Sequence, residues 1–469
     1  MKKLASVWAV IVMAACLGAC SIPRPVARAG CDFAATPIRI SETDSQPMLL
    51  APRPGAGPEV APGSFAEVMR AAAERRPTLP ILEASPGPAP GPDQYLILSG
   101  GSQHGAFGAG FFYGMAKRSG IPTYKIVTGV STGALQSTFL FLANQPTGGG
   151  SYAWVDGPMA GVVTPGQSNP GDLVLAYSIA AERDLLKPTG GGGLLAALRH
   201  GSTDTFAPLR ARLEAAITPK LLGEVAAQYD AGRSLFIGVG DVDDGVGYAI
   251  DMTRLAHRVL SPGADITRIQ GCYIDALLAS SSVPPGVPPV SLHLAGKDPA
   301  APDMFVDGGT RDGVFVQEAL SGLAARATGT KVTVIVNGVL YQGPWLEKGE
   351  RVQKWSALTL ALRAVDMLEN QVYRFSVARA EAFGIANGGL LMAYISTEGL
   401  ANGAPPPREH LFRGKTCDAW SQLDSAAGAK QFHPNYMSCL ITYGEARGGG
   451  GAGGVWNRDI ARALTVAAP

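Results

Sequence analysis

Apolar positions open this chain as one block and later settle into two rhythms. Residues 4–18 are almost unbroken in their hydrophobicity, with Lys2 and Lys3 before them. That stretch has the length of a secretion-signal core and falls short of the ~20 residues a membrane-spanning helix needs. From residue 95 onward, short apolar runs bounded by glycine alternate with longer stretches of helical spacing. Tyr95-Leu96-Ile97-Leu98 predicts a buried strand, 100–105 a glycine-rich turn, and 106–119 a helix closed by Gly120 and Pro122. Residues 124–128 predict a second strand, 129–133 a sharp turn and 134–143 a second helix. A β-α-β-α start of this kind implies a parallel sheet covered by helices.

Further helices are predicted over 172–186, 207–229 and around 274–279, and strands at 235–239, 248–252, 304–306, 331–336 and 391–395. The longest helix is expected over 355–386, with Leu358, Leu362, Val365, Leu368, Val372 and Phe375 forming its apolar face and Asn387-Gly388-Gly389 ending it. Phe111, Phe112 and Met115, inside the first helix of the body, are expected in the core. Residues 146–171 are glycine-rich with scattered apolar side chains, and read either as a lid or as a surface loop. The tail beyond 400 shows no clear pattern, and 448–454 is almost pure glycine.

Composition changes this picture at the N-terminal side. The chain has 469 residues with 60 Gly and 35 Pro, so much of it must be loop. Many of these residues fall between 21 and 92, which predicts a stiff, poorly packing tether ending in Pro86, Pro88, Pro90 and Pro92. One island interrupts it, where Ser64 and Glu67 form a capping box before a short apolar face. The formal net charge is +1 with no long basic run, which leaves no electrostatic case for a nucleic-acid partner.

Cysteine placement adds a compartment. Residues 17–20 read Leu-Gly-Ala-Cys, which resembles the lipobox of bacterial lipoproteins and implies cleavage before Cys20 and lipidation of that residue. Four segments follow: 1–19 a lipoprotein signal peptide, 20–92 a lipidated tether, 93–400 the main folded domain, and 401–469 a C-terminal extension that is partly loop. Membrane attachment through lipid is expected, in the bacterial envelope, with Ser21 pointing by analogy to the outer membrane. Among the remaining cysteines, Cys417 and Cys439 are candidates for a disulfide in an oxidising compartment. Cys272, in an apolar helical run, reads as a buried free thiol. No C-x-x-C or H-E-x-x-H spacing occurs, so neither a metal nor another cofactor is expected.

Three motifs carry the chemistry. Gly129-Val130-Ser131-Thr132-Gly133 is a G-x-S-x-G between a predicted strand and helix, where glycines permit a tight turn that lifts a serine out at the sheet edge. The helix after it aims its N-terminus at the site and favours negative charge there. Gly100-Gly101-Ser102-Gln103-His104-Gly105 lies in a similar setting and offers backbone N–H groups for an oxyanion. It lacks the spacing of a dinucleotide or phosphate-binding loop. Asp307-Gly308-Gly309 follows a short strand, where an α/β sheet binds its ligands.

In combination these motifs resemble the patatin-like phospholipase family. Ser131 lies 31 residues after Gly100, and Asp307 lies 176 after Ser131. Matching text includes residues 98–101, 105–110 and 279–285, and the resemblance spans about 95–345. It implies an α/β fold, a three-layer sandwich with a mostly parallel central sheet and helices on both faces. It also implies a Ser131 nucleophile, an Asp307 base, an oxyanion hole of Gly100, Gly101 and Ser102, and motif glycines at 105, 129, 133, 308 and 309. The substrate would be a lipid or other acyl ester. Two departures stand out: Ser102 replaces the third loop glycine, and His104 replaces a common Arg or Lys. Rival readings are an α/β-hydrolase triad using His410 or His433, and a non-catalytic lipid-binding envelope lipoprotein.

Overall fold

The computed structural model describes residues 22–38, 63–78, 94–152, 157–190, 201–298, 300–313, 330–340, 346–347, 350–351, 357–387, 389–395, 410–450 and 455–457. The expected signal segment and Cys20 lie outside these residues. So do 191–193 and 451–454 of the two glycine runs.

Ten strands build the main sheet: β1 (Asp32–Phe33), β2 (Ala35–Ile38), β3 (Gln94–Leu98), β4 (Ile126–Val130), β5 (Ser234–Asp241), β6 (Gly247–Asp251), β7 (Val290–Leu294), β8 (Asp303–Asp307), β9 (Lys331–Val336) and β10 (Leu390–Tyr394). Their order is β1-β7-β8-β5-β4-β3-β9-β10, with β6 also pairing β5, and β2 pairing β6. The run β10-β9-β3-β4-β5 is parallel. Its strands are apolar on both faces because helices cover both, as in an all-parallel sheet. β8 and β6 are antiparallel to β5. This is the mostly parallel central sheet that the sequence resemblance implies.

The helices are α1 (Phe65–Glu74), α2 (Gly105–Arg118), α3 (Thr132–Phe141), α4 (Asn169–Tyr177), α5 (Ala207–Ala216), α6 (Pro219–Asp230), α7 (Met252–His257), α8 (Ile266–Ser280), α9 (Ala357–Asn387), α10 (Cys417–Ala426) and α11 (Pro434–Gly448). None of the described helices is long and apolar enough to cross a membrane. The single helix expected over 207–229 is two, because Thr218 caps α6, accepting the Leu221 N–H, and Pro219 opens it. The helix expected over 172–186 starts earlier, where Ser168 accepts the Gly171 N–H, and ends at Tyr177. Residues 157–168 and 146–152 pack on the body, burying Tyr152, Met159 and Val163, and none of these lines the cavity described below, while 153–156 of the expected lid or loop lie outside the described residues.

The C-terminal extension is ordered where it is described. α11 lies against α2 through two glycine pairs, and a methyl group built on Gly110 would come 1.9 Å from the Ile441 carbonyl oxygen. The same test gives 2.1 Å from Gly114 to the Glu445 oxygen, 2.1 Å from Gly444 to the Phe107 oxygen and 1.9 Å from Gly448 to the Phe111 oxygen. The helix backbones touch, so no side chain fits between them. Phe111, Phe112 and Met115 are core residues, as expected. Cys417 and Cys439 form a disulfide that ties α10 to α11.

Part of the expected tether is also folded. Ser64 caps α1 by accepting the Glu67 N–H, Glu67 reaches back to the Gly63 N–H, and Phe65 and Met69 enter the core. Residues 35–38 pair with β6 and 32–33 with β7. Cys272 is not a free thiol: it is bonded to Cys31, 241 residues away, with a Cα–Cα separation of 5.6 Å. Arg28 reinforces this strap by donating to Asp275, one turn further along α8, at 2.7 Å.

The apolar face predicted for α9 is turned differently. Leu368 is 68% exposed and Phe375 50%, whereas Val365, Asn370 and Tyr373 face inward or line the cavity. Leu358 and Leu362 carry no described side-chain environment.

Candidate active site

Ser131 sits between β4 and α3 with φ +54° and ψ −125°, a region L-residues rarely occupy. The flanking glycines are dictated by space. A Cβ on Gly129 would meet the Gly133 carbonyl oxygen at 2.4 Å, and one on Gly133 would meet the Leu98 oxygen at 2.5 Å. The elbow is held from below by Ser280 at the end of α8, which accepts the Ser131 N–H at 3.0 Å and donates to the Gly238 carbonyl at 2.6 Å. Ser131 itself is 6% exposed and opens on a cavity of about 470 Å³.

Asp307 reaches the same place from the opposite direction. β4 runs parallel to β5 and ends with Val130 opposite Gly238, and β8 runs antiparallel and ends with Asp307 opposite Val239. β6 occupies the other edge of β5. The two strand ends therefore meet on one edge, and a Cβ on Gly308 would lie 2.6 Å from the Gly238 oxygen and 3.0 Å from Val130 Cγ1. The Asp307 carboxyl is 2% exposed. Its Oδ1 accepts the Gly309 N–H at 2.7 Å, and its buried Oδ2 has no hydrogen-bond partner of ordinary geometry. Burial pushes this carboxyl up to about 7, while the nearby Ser131 side chain and the Gly309 N–H pull the other way. The Ser131 side chain thus adjoins the Asp307 carboxyl closely enough to act on its titration.

The glycine-rich loop lies beside both. Gly101 has φ +143°, and a Cβ there would strike Gly338 N at 2.5 Å. Ser102 takes φ +50°, so a serine does adopt the conformation glycine would supply more easily. The Gly100 N–H donates to the Gly313 carbonyl at 3.3 Å and is already committed. The N–H groups of Gly101 and Ser102 have no partner among the described residues, so they are the available donors. Gly105 is required because its Cβ would fall 2.0 Å from Thr132 Oγ1. His104 is no solvated loop residue: its ring Nδ1 bonds the Gly101 carbonyl at 2.9 Å, and burial lowers its pKa to about 4, leaving it neutral.

Several residues of the site were not anticipated. Asn337, just after β9, donates its side-chain amide to the Ser99 carbonyl and to Gln136, both at 3.0 Å, and Gln136 donates to the Gly105 carbonyl at 2.6 Å. This buried network ties the loop to the nucleophile helix. From α9 come Asp366, Glu369 and Tyr373. The Tyr373 ring fills space left by Gly313 and Gly338, and its hydroxyl would be 2.6 Å from a Cβ on Gly100. Burial, then the charges of Asp307 and Asp366, raise Glu369 to about 8. Polar residues at three-, four- and seven-residue spacing inside an apolar helix were the available signal.

His410 and His433 bond elsewhere, to Thr442 at 2.8 Å and to Ser421 at 3.1 Å, and neither lines the cavity. Among the described residues, Asp241, Asp243 and Asp303 have metal-ligand spacing, yet Lys297 already bonds Asp241 at 3.1 Å and Asp303 at 2.6 Å.

Residues 96–320 match the family model described as patatin-like phospholipase. No curated protein sequence matches the chain. Among solved structures, VipD from Legionella pneumophila is similar at 12% identity and a TM-score of 0.24, over 79% of this chain and 70% of that one. With the three motifs carried by one sheet, residues 96–320 of this chain are similar to a patatin-like phospholipase domain.

Proposed function

We propose that the protein is a serine acyl hydrolase that cleaves carboxylic esters of lipids through Ser131 and Asp307. The match of residues 96–320 to the patatin-like phospholipase model supports lipid hydrolase activity in general. The finer reading rests on one observation: a serine on a strained strand–helix elbow adjoins a buried carboxyl whose second oxygen has no partner. A free aspartate near pKa ~3.9 is a weak base, and burial makes this one a stronger base near neutrality.

In the proposed reaction Asp307 takes the Ser131 proton as Oγ attacks the acyl carbonyl. The Gly101 and Ser102 N–H groups and the α3 N-terminus receive the oxyanion. Collapse breaks the ester C–O bond, Asp307 returns the proton to the departing alkoxide, and an acyl-enzyme remains. Water, deprotonated by Asp307, then releases the carboxylic acid and Ser131. The separate engagement of His410 and His433 favours this dyad over a triad.

We further propose anchoring by lipid at Cys20 in the bacterial envelope. Two disulfides support an oxidising compartment. Labelling by a fluorophosphonate that disappears in Ser131→Ala, with ester hydrolysis lost in parallel, is the expected result. A folded protein that never labels would instead favour a lipid-binding module.

A further inference from the structure

The cavity is chemically divided. Leu135 and Phe139 follow Ser131 at one and two turns of α3, and Leu173, Leu209 and Leu213 continue that apolar surface away from the nucleophile. An acyl chain fits there. α9 lines the same cavity with Asp366, Glu369, Asn370 and Tyr373, all on one helix face. Exposure falls along this face, from exposed Asp366 through half-buried Glu369 to buried Asn370 and Tyr373. A Cβ on Gly309 would lie 3.0 Å from Asp307 Oδ1 and 3.6 Å from the Tyr373 hydroxyl, so the face adjoins Asp307.

Proton balance identifies the two sides. Asp307 must give its proton to the alkoxide that departs, so the alcohol leaves past Asp307 and meets the α9 wall. Among the described residues, none of the cations lining the cavity stands on α9. Arg212 donates to the Ala176 and Ser178 carbonyls, and Lys430 is exposed beside the segment held by Glu182. Arg363 offsets part of the Asp366 charge and does not line the cavity. His104 is neutral. A phosphate on the leaving alcohol would bring negative charge against Asp307, which must be ionised before attack, and against Asp366 at the rim, and by holding Asp307 protonated it would take away the base. An uncharged alcohol meets no such repulsion and finds hydroxyl, amide and carboxyl partners.

We propose that α9 makes the leaving-group side select uncharged or cationic alcohols, so that neutral acyl esters such as glycerides are preferred over phosphate-bearing lipids. This rests on Ser131 and Asp307 acting as proposed above. The test compares monooleoylglycerol with its phosphate monoester, oleoyl lysophosphatidic acid, in one neutral detergent at one pH. The full chain should show a kcat/KM at least about tenfold higher on the neutral ester, and Asp366→Asn/Glu369→Gln should shrink that ratio at least about threefold. Reading a ratio within each variant cancels any general loss of rate. A wild-type ratio at or below unity overturns the proposal. So does an unchanged ratio in a double variant that still labels with fluorophosphonate. Should that variant not fold, Asp366→Asn alone, exposed at the rim, supplies the ratio. Failure of the underlying reading looks different: Ser131→Ala keeps wild-type activity, or wild type cuts neither ester, and the selectivity claim falls with it.

Discussion

Val130 and Asp307 stand opposite consecutive residues of β5, Gly238 and Val239, although 177 positions separate them in the chain. One strand therefore serves as the common ruler for nucleophile and base. Shifting either neighbour by one residue would turn the carboxyl or the elbow to the other face of the sheet.

The first expectation concerns the pair itself. Asp307→Asn keeps the shape and removes the base, so kcat/KM should fall by about 10²–10⁴ while the fold persists. Steady-state kinetics beside a circular dichroism spectrum decide it. An Asn variant with near-normal turnover removes Asp307 from the mechanism.

Acidity follows from the same carboxyl. Asp307 must be ionised to act, and its burial-raised pKa is about 7, so kcat/KM should climb with pH through neutrality and flatten above it. The stability effect has the opposite sense. A carboxyl with a folded pKa above its unfolded ~3.9 binds a proton more tightly when folded, so its penalty is absent below ~4 and grows until pH passes 7. Asp307→Asn should accordingly melt higher than wild type at pH 8, with the gap closing toward pH 4. A gap that widens on acidification would show the sign to be wrong.

His410→Ala and His433→Ala test the triad alternative. Turnover per folded molecule should stay within about tenfold of wild type for each, since general-base loss costs more than that. His433→Ala should still lower the melting temperature, because the residue is buried and bonded to Ser421.

Gly444→Ala examines the close helix pair. Its new methyl group would sit 2.1 Å from the Phe107 carbonyl oxygen, and that contact is to backbone, which cannot swing aside. A loss of about 1–3 kcal/mol or more is expected in denaturant unfolding. An unchanged midpoint would mean that α11 and α2 are further apart than described.

Reduction probes the long bridge. Cys272→Ser opens the link to Cys31, and stability should fall by about 2–5 kcal/mol. Electrophoresis after limited proteolysis, with and without reductant, should show the N-terminal peptide held to the body only when the bridge is intact.

The motif-bearing half of the site was legible because each piece is local. A buried strand, a glycine turn and a helix recur around Gly100 and Ser131, and steric room alone demands glycine at 105, 129 and 133. What was not legible depends on distance or on which way an amphipathic helix faces. Cys31 and Cys272 meet only through the folded sheet. Asp366, Glu369 and Tyr373 were hidden by the more conspicuous stripe of Leu368 and Phe375, which faces outward. The Gly100 N–H is committed to Gly313, far along the chain, a partner that no local motif reveals. C-terminal α11 escaped notice because its contact face is glycine, which a hydropathy pattern does not register.

If Cys20 carries the proposed lipid, the Cys31–Cys272 strap sets how far the body can stand from the membrane. Eleven residues separate the two positions, and fully drawn out they span about 40 Å, against roughly 200 Å or more for a free leash running to β3. Such an enzyme would graze close to its own bilayer rather than forage across the gap to a facing one. A protease cutting within 39–62 would release nothing until the bridge was reduced.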